Sequence, residues 1–125
     1  VFHDAELRAK LNAIVHPLVR DWMAERTAEA ASGAEIVVQD VPLIFENGLE
    51  ALYSAVVLVY VPEEIQVKRL VEGRGLSEDR ARAIVAAQMP IEEKRARADY
   101  VVDNTRGLDE TRRNVAQMWP ELARA

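Results

Sequence analysis

Three short runs of apolar, mostly β-branched residues, separated by stretches with helical periodicity, constrain the fold of this chain most strongly. The runs lie at 36–41, 55–61 and 100–103, and the second is apolar on both faces and ends before Pro62. Continuous hydrophobicity of this kind is typical of parallel strands that helices cover on both sides. Because strands alternate with helices along the chain, the sequence predicts an α/β fold with a parallel sheet.

The helical stretches predict a helical pair at the start of the chain and four further helices. Apolar residues at helical spacing between 4 and 31 indicate one buried face, which His16-Pro17 interrupts because proline disfavours a helical conformation in the residue before it. Pro17 can then open the second helix. Two helices follow between 63 and 88, split near a glycine-rich turn with Ser77 as the N-cap of the second. A short helix is predicted after Pro90, and a longer one over 108–122.

Composition excludes several classes of function. The chain has 125 residues, 16 basic and 21 acidic side chains, a net charge of −5 and no cysteine. The lack of cysteine excludes disulfides, thiolate metal sites and a catalytic thiol. The acidic balance disfavours binding to nucleic acid or to an anionic membrane, and no apolar run reaches the ~18 residues of a spanning helix. We therefore expect a cytoplasmic protein with neither kind of partner.

Two carboxylates are predicted just beyond the first strand. Asp40 lies near the end of the run at 36–41 and Glu46 follows shortly after, which places both near the sheet edge where open α/β folds bind ligands. Asp40 is either a magnesium ligand or simply a polar strand end. Glu46 either binds substrate or caps a helix. The chain contains neither G-x-x-x-x-G-K-[ST] nor G-x-G-x-x-G, so the phosphate-binding loop that either motif forms is missing from it.

A basic cluster interrupts this acidic chain between residues 68 and 97. Its members are Lys68, Arg69, Arg74, Arg80, Arg82, Lys94, Arg95 and Arg97. An arginine-rich helical hairpin can cover a nucleotide and neutralise the phosphoryl group during transfer, although acidic neighbours can equally hold many of these side chains in exposed ion pairs. Arg74 lies between two glycines, a position that suits the hinge of a closing lid.

Several strings in register resemble the dephospho-coenzyme A kinase family. They comprise residues 11–19 (LNAIVHPLV), 40–49 (DVPLIFENGL), 69–70 (RL), 74–77 (RGLS), 86–88 (AAQ) and 98–104 (ADYVVDN). The resemblance covers essentially the whole chain. It implies transfer of the γ-phosphate of ATP, with Mg²⁺, to the ribose 3′-hydroxyl of dephospho-coenzyme A. It also implies the three-layer, P-loop kinase-like parallel sheet, with a helical substrate insertion and a helical lid.

Domains and site residues follow from this resemblance. Residues 1–33 would form the substrate-binding insertion and residues 34–125 the C-terminal part of the kinase core, including the lid at 72–98. The implied contacts are His16, Pro17 and Glu46 with dephospho-coenzyme A, Arg74 and Lys94 with the phosphates, Asn104 and Arg106 with the adenine, and Asp40 with Mg²⁺. On residue type alone, His16 marks a helix break and Asn104 a turn. Arg106 occupies the place of the family's usual glycine, because Gly107 comes one position late.

The family begins with a strand, a Walker A loop and an aspartate-containing segment that do not precede Val1 in this sequence. We therefore expect an incomplete sheet that lacks the central strand between the runs at 36–41 and 55–61. The isolated 125-residue piece is accordingly predicted neither to fold stably nor to phosphorylate substrate without the missing segment of its own chain. Two alternatives stay open: a non-catalytic module that binds a coenzyme A precursor, and another small-molecule kinase of the same fold.

Overall fold

A computed structural model describes residues 5–124, which divide into two compact units. One unit ends at Asp40 and the other begins at Val41. The helices are α1 (Ala5–Ala31), α2 (Glu63–Arg74), α3 (Glu78–Ala86), α4 (Ile91–Arg97) and α5 (Leu108–Leu122). The strands are β1 (Val57–Tyr60) and β2 (Tyr100–Asp103), and a short 3₁₀ turn spans Glu50–Leu52.

The first unit contains one continuous helix, so the prediction of a helical pair broken at His16-Pro17 is wrong. Helix α1 runs for 27 residues with Pro17 in its interior. Proline removes one backbone hydrogen bond from the ladder, but it does not prevent the turns on either side from forming. The flanking sequence is rich in alanine, leucine, arginine and glutamate, which favour helix on both sides of the proline.

The apolar face of α1 is exposed, contrary to the prediction that it is buried. Leu11, Ile14 and Leu18 are 48%, 65% and 64% exposed. The only other described part of this unit, residues 32–40, forms neither a helix nor a strand that could cover the face. The helix is therefore not part of an apolar core within its own unit.

The run at 36–41 forms no strand, which corrects a second prediction. A strand needs a neighbour to accept and donate its backbone hydrogen bonds. Among residues 5–124 the sheet contains only β1 and β2, which pair with each other. Val38 is 76% exposed and Asp40 is also exposed, so Asp40 does not end a sheet strand in this structure.

The second unit is built on the two parallel strands β1 and β2, which confirms the predicted α/β class. Their register pairs Val57 with Tyr100 and Tyr60 with Asp103. Beyond the last pair, the Asn104 N–H donates to the Tyr60 carbonyl at 2.9 Å. Both strands therefore end at the same edge, where α2 and the turn at 104–107 begin.

Helices pack on this small sheet and on one another. Helix α4 packs against β1, α5 against β2, and α3 against α2. The buried apolar side chains among the described residues are Phe45, Val56, Val61, Val67, Ala81 and Val102. Ala81 is fully buried, in α3, which brings the two helices of the α2–α3 hairpin close together.

The turn between α2 and α3 confirms the predicted split of this helical stretch. Gly75 adopts the left-handed conformation at φ 64°, and its N–H donates to the Val71 carbonyl at 3.0 Å. Ser77 caps α3, because its hydroxyl accepts from the Arg80 N–H at 3.4 Å. The chain therefore reverses direction at a glycine that ends α2 in the usual way.

Alanine substitutions at the two glycines of this turn should have opposite effects. Gly75→Ala is expected to lower the free energy of unfolding by about 1 kcal/mol, because its positive φ is strained for any residue with a Cβ. Gly73→Ala should raise it by about 0.5 kcal/mol, because Gly73 lies inside α2. A Cβ meets no atom within 4 Å at either position. Urea denaturation of the full-length gene product measures both, and a shift of the same sign in the two variants would contradict the assignment.

Candidate functional site

A tightly built turn follows β2 at the carboxyl edge of the sheet, where open α/β folds bind ligands. The Asp103 carboxylate accepts from the Thr105 N–H at 2.7 Å, and hydrogen bonds from the Thr105 side chain and backbone hold the pKa of Asp103 below its usual value. The Thr111 hydroxyl donates to Asn104 Oδ1 at 2.8 Å. The turn at 104–107 is therefore held by hydrogen bonds from its own residues and from Thr111 of α5.

Arg69 connects helix α2 to this turn. Its Nη2 donates to the carbonyl oxygens of Asn104 at 2.7 Å and Thr105 at 3.2 Å, and reaches that of Arg106 at 3.5 Å. From its sequence position Arg69 is predicted only as one member of the basic cluster. The contact joins residues about 35 positions apart, so no local sequence pattern could reveal it. The one signal in the sequence was that Arg69 belongs to the segment 69–70, which resembles the kinase family.

Asn104 and Arg106, the predicted adenine contacts, lie in this same turn. Asn104 is half-buried, with its backbone N–H bonded to Tyr60 and its carbonyl to Arg69. Arg106 is exposed. The structure thus brings the two predicted residues together, while their contact with adenine stays a prediction.

Arg74 lies at the end of α2 beside a cleft between α2 and α3. The cleft has a volume of ≈ 410 Å³ and is lined by Gln66, Arg69, Leu70, Arg74, Ile84, Val85 and Gln88. Arg74 is exposed, and within residues 5–124 no hydrogen bond or ion pair engages its guanidinium. Its guanidinium is therefore available to a ligand, while its place on a hinge stays a prediction.

Other members of the basic cluster are engaged in exposed ion pairs. Arg82 donates to both carboxylate oxygens of Glu64, at 3.1 and 3.2 Å, and to Glu78 at 2.9 Å. Hydrogen bonds to Glu64 and Glu78 raise the pKa of Arg82 and hold it charged. Lys68 lies 3.8 Å from Glu72. Arg82 and Lys68 therefore form the exposed ion pairs that the sequence predicts as the alternative to phosphate contacts. Such pairs contribute little to stability.

Glu46 and Lys94 form an ion pair with each other. The sequence predicts contacts of these two residues with different ligands, dephospho-coenzyme A for Glu46 and phosphate for Lys94. Lys94 Nζ lies 2.7 Å from Glu46 Oε1, which also accepts from the Met89 N–H at 3.0 Å. The Lys94 side chain is 8% exposed and that of Glu46 is 21% exposed. Residue 46 is exposed as a whole because its backbone is exposed. Gln88 Oε1 accepts from Lys94 at 3.3 Å. Both side chains are therefore engaged with protein groups, and their contacts with dephospho-coenzyme A and phosphate stay predictions.

The environment of Glu46 favours its charged form. Burial on its own raises the pKa of this carboxyl, but hydrogen bonds from Lys94, from its own backbone and from Met89 outweigh that effect and lower the pKa below its usual 4.5. The Glu46 carboxylate is therefore ionised whenever the surrounding pH is near neutral.

Three predicted site residues belong to the first unit. His16 and Pro17 are exposed on α1, and Asp40 is exposed at the end of the unit. Within residues 5–124, no three histidine or acidic side chains are grouped closely enough to hold a metal ion on their own. In the same range, none of the helices is both long and apolar enough to cross a bilayer.

Comparison with known proteins agrees with the resemblance in the sequence. A family model described as "Dephospho-CoA kinase" matches residues 1–110. The dephospho-CoA kinase of Geobacillus kaustophilus is 47% identical over 98% of this chain and 63% of its own length. That of Streptomyces avermitilis is 48% identical over 98% of this chain and 59% of its own length. The chain thus spans about three-fifths of the length of the curated relatives that it matches.

Solved structures are similar over nearly the whole chain. A Thermus thermophilus protein of known crystal structure superposes with a TM-score of 0.82 at 38% identity, over 98% of this chain and 63% of that protein. The dephospho-CoA kinase from Campylobacter jejuni gives a TM-score of 0.68 at 27% identity, over 98% and 61% respectively. From the family match over residues 1–110, together with these sequence and structural likenesses, it follows that the chain belongs to the dephospho-CoA kinase family.

Proposed function

We propose that this chain takes part in the ATP-dependent phosphorylation of dephospho-coenzyme A in the cytoplasm, the last step of coenzyme A biosynthesis. The observation that carries the proposal is the family match over residues 1–110. In the reaction, the ribose 3′-oxygen forms a bond to the γ-phosphorus while the bond from that phosphorus to the β,γ-bridging oxygen breaks. ADP leaves with that electron pair, and the hydroxyl proton is released.

ATP is proposed to bind along the carboxyl edge of the second unit. Asn104 and Arg106 would flank the adenine, in a turn that Arg69 already holds through its carbonyl oxygens. Arg74 would meet the phosphates, because its guanidinium is exposed beside the α2–α3 cleft and has no partner within residues 5–124. An arginine in this role stabilises the charge on the transferred phosphoryl group.

Dephospho-coenzyme A is proposed to contact the first unit through His16 and Pro17, both exposed on α1. A histidine there would donate or accept hydrogen bonds, and the exposed apolar side chains of the same helix would contact the less polar parts of the substrate. Direct contacts of Glu46 with this substrate and of Lys94 with phosphate are proposed for a state in which their mutual ion pair has opened.

Magnesium is proposed to enter with ATP. Mg²⁺ is usually held in such sites by one or two carboxylates together with phosphate oxygens and water. Asp40 fits this mode as a single exposed carboxylate. When bound, the ion would neutralise phosphate charge. This chain would contribute one oxygen ligand to the ion, from the Asp40 carboxylate.

Two measurements on the full-length gene product test the proposal. Calorimetry with ATP and, separately, with dephospho-coenzyme A should show binding of both, and phosphorus NMR should show a new 3′-phosphomonoester with release of ADP. Binding of dephospho-coenzyme A without ATP would favour the non-catalytic module instead. Phosphorylation of a different acceptor would favour another small-molecule kinase.

Substitution of Arg69 tests the ATP site in particular. Arg69→Ala is expected to raise the KM for ATP by about tenfold with little change in kcat. The variant removes the hydrogen bonds from Arg69 to the carbonyl oxygens of the turn at 104–107, so the turn must be ordered when ATP binds. Lys68→Ala is the matched control, since Lys68 is exposed on the same helix and, within residues 5–124, its ammonium group forms an ion pair with Glu72 alone. An equal effect of the two variants on the KM for ATP would contradict the proposed role of the turn.

A further inference from the structure

Asn104 is held in the turn after β2 at three of its four polar atoms. Its backbone N–H donates to the Tyr60 carbonyl at 2.9 Å, and its backbone carbonyl accepts from Arg69 at 2.7 Å. Its side-chain Oδ1 accepts from the Thr111 hydroxyl at 2.8 Å. The Nδ2 amino group has no partner within residues 5–124. The structure therefore leaves one polar group of Asn104, a hydrogen-bond donor, for a ligand.

The Thr111 hydroxyl lies near a second acceptor, the Gly107 carbonyl, at 3.4 Å. This distance is longer than the usual range of O–H···O hydrogen bonds, whereas 2.8 Å to Asn104 Oδ1 is typical of them. The Gly107 carbonyl also accepts from the backbone N–H groups of Glu110 and Thr111, at 3.1 and 3.2 Å. The single hydroxyl proton of Thr111 is therefore directed at Asn104.

This hydrogen bond fixes the orientation of the Asn104 amide. The oxygen and nitrogen of the amide diverge from one carbon, so holding Oδ1 at Thr111 directs Nδ2 away from that hydroxyl. In the reversed orientation Nδ2 would donate to the hydroxyl, whose proton would be left with the distant and already occupied Gly107 carbonyl. Asn104 and Thr111 are both half-buried, so water replaces a lost partner poorly and the observed orientation is favoured.

The carbonyl oxygens of the turn are engaged by Arg69. Its Nη2 donates charge-assisted hydrogen bonds to the carbonyls of Asn104 and Thr105, at 2.7 and 3.2 Å. Arg106, the second residue proposed to contact the adenine, is exposed, and its guanidinium carries donors and no acceptor. The side-chain groups that the turn presents to a base are therefore donors.

We propose that Thr111 is a positioning residue that holds the Asn104 amide with its amino group towards the nucleotide, so that the turn recognises a ring nitrogen of the purine and not its 6-amino group. The inference rests on the proposed function for its ligand, ATP. Adenine has hydrogen-bond acceptors at its ring nitrogens and a donor at its 6-amino group. The donors of the turn match the ring nitrogens. Because the amide is already oriented, this contact costs little ordering when the nucleotide binds.

Two kinds of nucleotide analogue separate the ring nitrogens from the amino group. Purine riboside 5′-triphosphate lacks only the 6-amino group, and its kcat/KM with the full-length gene product should stay within about threefold of that of ATP. In 1-deaza-, 3-deaza- and 7-deaza-ATP one ring nitrogen is replaced by C–H. One of these three should lose about tenfold in kcat/KM, the effect of one unmade hydrogen bond. A larger loss with the purine riboside triphosphate, or no loss with any deaza analogue, would overturn the proposal.

Variants of Thr111 test whether it sets this preference. In Thr111→Val the hydroxyl is lost, and the loss caused by the sensitive deaza analogue should shrink from about tenfold to about twofold, because the released amide also presents its oxygen. Thr111→Ser keeps the hydroxyl and should retain the tenfold loss. Asn114→Ala is the matched control, since it removes another hydrogen bond between α5 and the end of β2, from Asn114 to the Asp103 carbonyl at 2.8 Å. It should also retain the tenfold loss, and an equal change in Thr111→Val and Asn114→Ala would make Thr111 a structural residue.

The outcomes separate this proposal from the proposed function. If the full-length gene product does not turn over ATP, the proposed function fails, and NMR relaxation of the Asn104 side-chain amide in the ligand-free protein still decides the role of Thr111. The order parameter of that amide should fall below about 0.6, the range of flexible groups, in Thr111→Val and stay high in Thr111→Ser. An unchanged order parameter in Thr111→Val overturns the positioning role in every case. If ATP is turned over and no deaza analogue is impaired, recognition of a ring nitrogen is overturned while the proposed function stands.

Discussion

Replacing Arg74 with alanine should lower kcat of the full-length gene product by about 10²- to 10³-fold, the loss typical of removing one group that stabilises transition-state charge. The expected change in the free energy of unfolding is within about 0.5 kcal/mol, because Arg74 is exposed and has no partner within residues 5–124. Initial rates of ADP formation at saturating substrates, combined with urea denaturation, measure both quantities. The separation of the two effects is what identifies a functional arginine.

Arg112→Ala provides the matched control for Arg74. Arg112 is an exposed arginine on α5 that, among the residues the structure describes, pairs with Asp109 alone, on its own helix at 3.3 Å. It lies outside the proposed site, so this variant should retain the wild-type kcat. Parallel losses of kcat and stability in Arg74→Ala would instead make Arg74 a structural residue.

Glu46→Gln should produce the largest loss of stability. Without the carboxylate, the charge of Lys94 is left in a site where its side chain is 8% exposed, with Gln88 as its remaining partner. The expected loss is about 2 kcal/mol, below the range of a fully buried pair because solvent reaches the Glu46 side chain. Urea denaturation near neutral pH measures this difference.

A double variant and a pH series check the cause of that loss. Glu46→Gln combined with Lys94→Met removes both charges and should recover most of the stability. The pKa of Glu46 is lowered in the folded protein, so its contribution is fully present above the usual value of 4.5 and disappears as the pH falls through the lower folded value. The difference between wild type and Glu46→Gln should therefore shrink below pH 4.5. A constant difference across that range would show that charge is not the cause.

Much of the second unit could be predicted because its signals are local. The apolar runs at 55–61 and 100–103 contain β1 and β2, and Gly75 with Ser77 separates α2 from α3 as expected. Turn and cap residues act through contacts within a few positions of the chain. Sequence spacing alone therefore locates them.

The first unit shows where local signals are insufficient. The run at 36–41 has the composition of a strand but no described neighbour to pair with, and the apolar face of α1 has no covering element in the described part of its unit. Strand formation and burial depend on partners distant in sequence, and propensity supplies neither. The same reason leaves Asp40 exposed rather than at a strand end.

The sequence by itself determined the fold class, the family resemblance and which side chains were candidates for the site. Only the tertiary structure decided how those candidates are engaged. Glu46 and Lys94 contact each other across 48 residues of chain, and Arg69 holds the turn after β2. Of the basic side chains Arg69, Arg74 and Lys94, Arg74 alone has no partner among the described residues. Charge and spacing identify possible ion pairs, but the packing of distant elements selects which of them form.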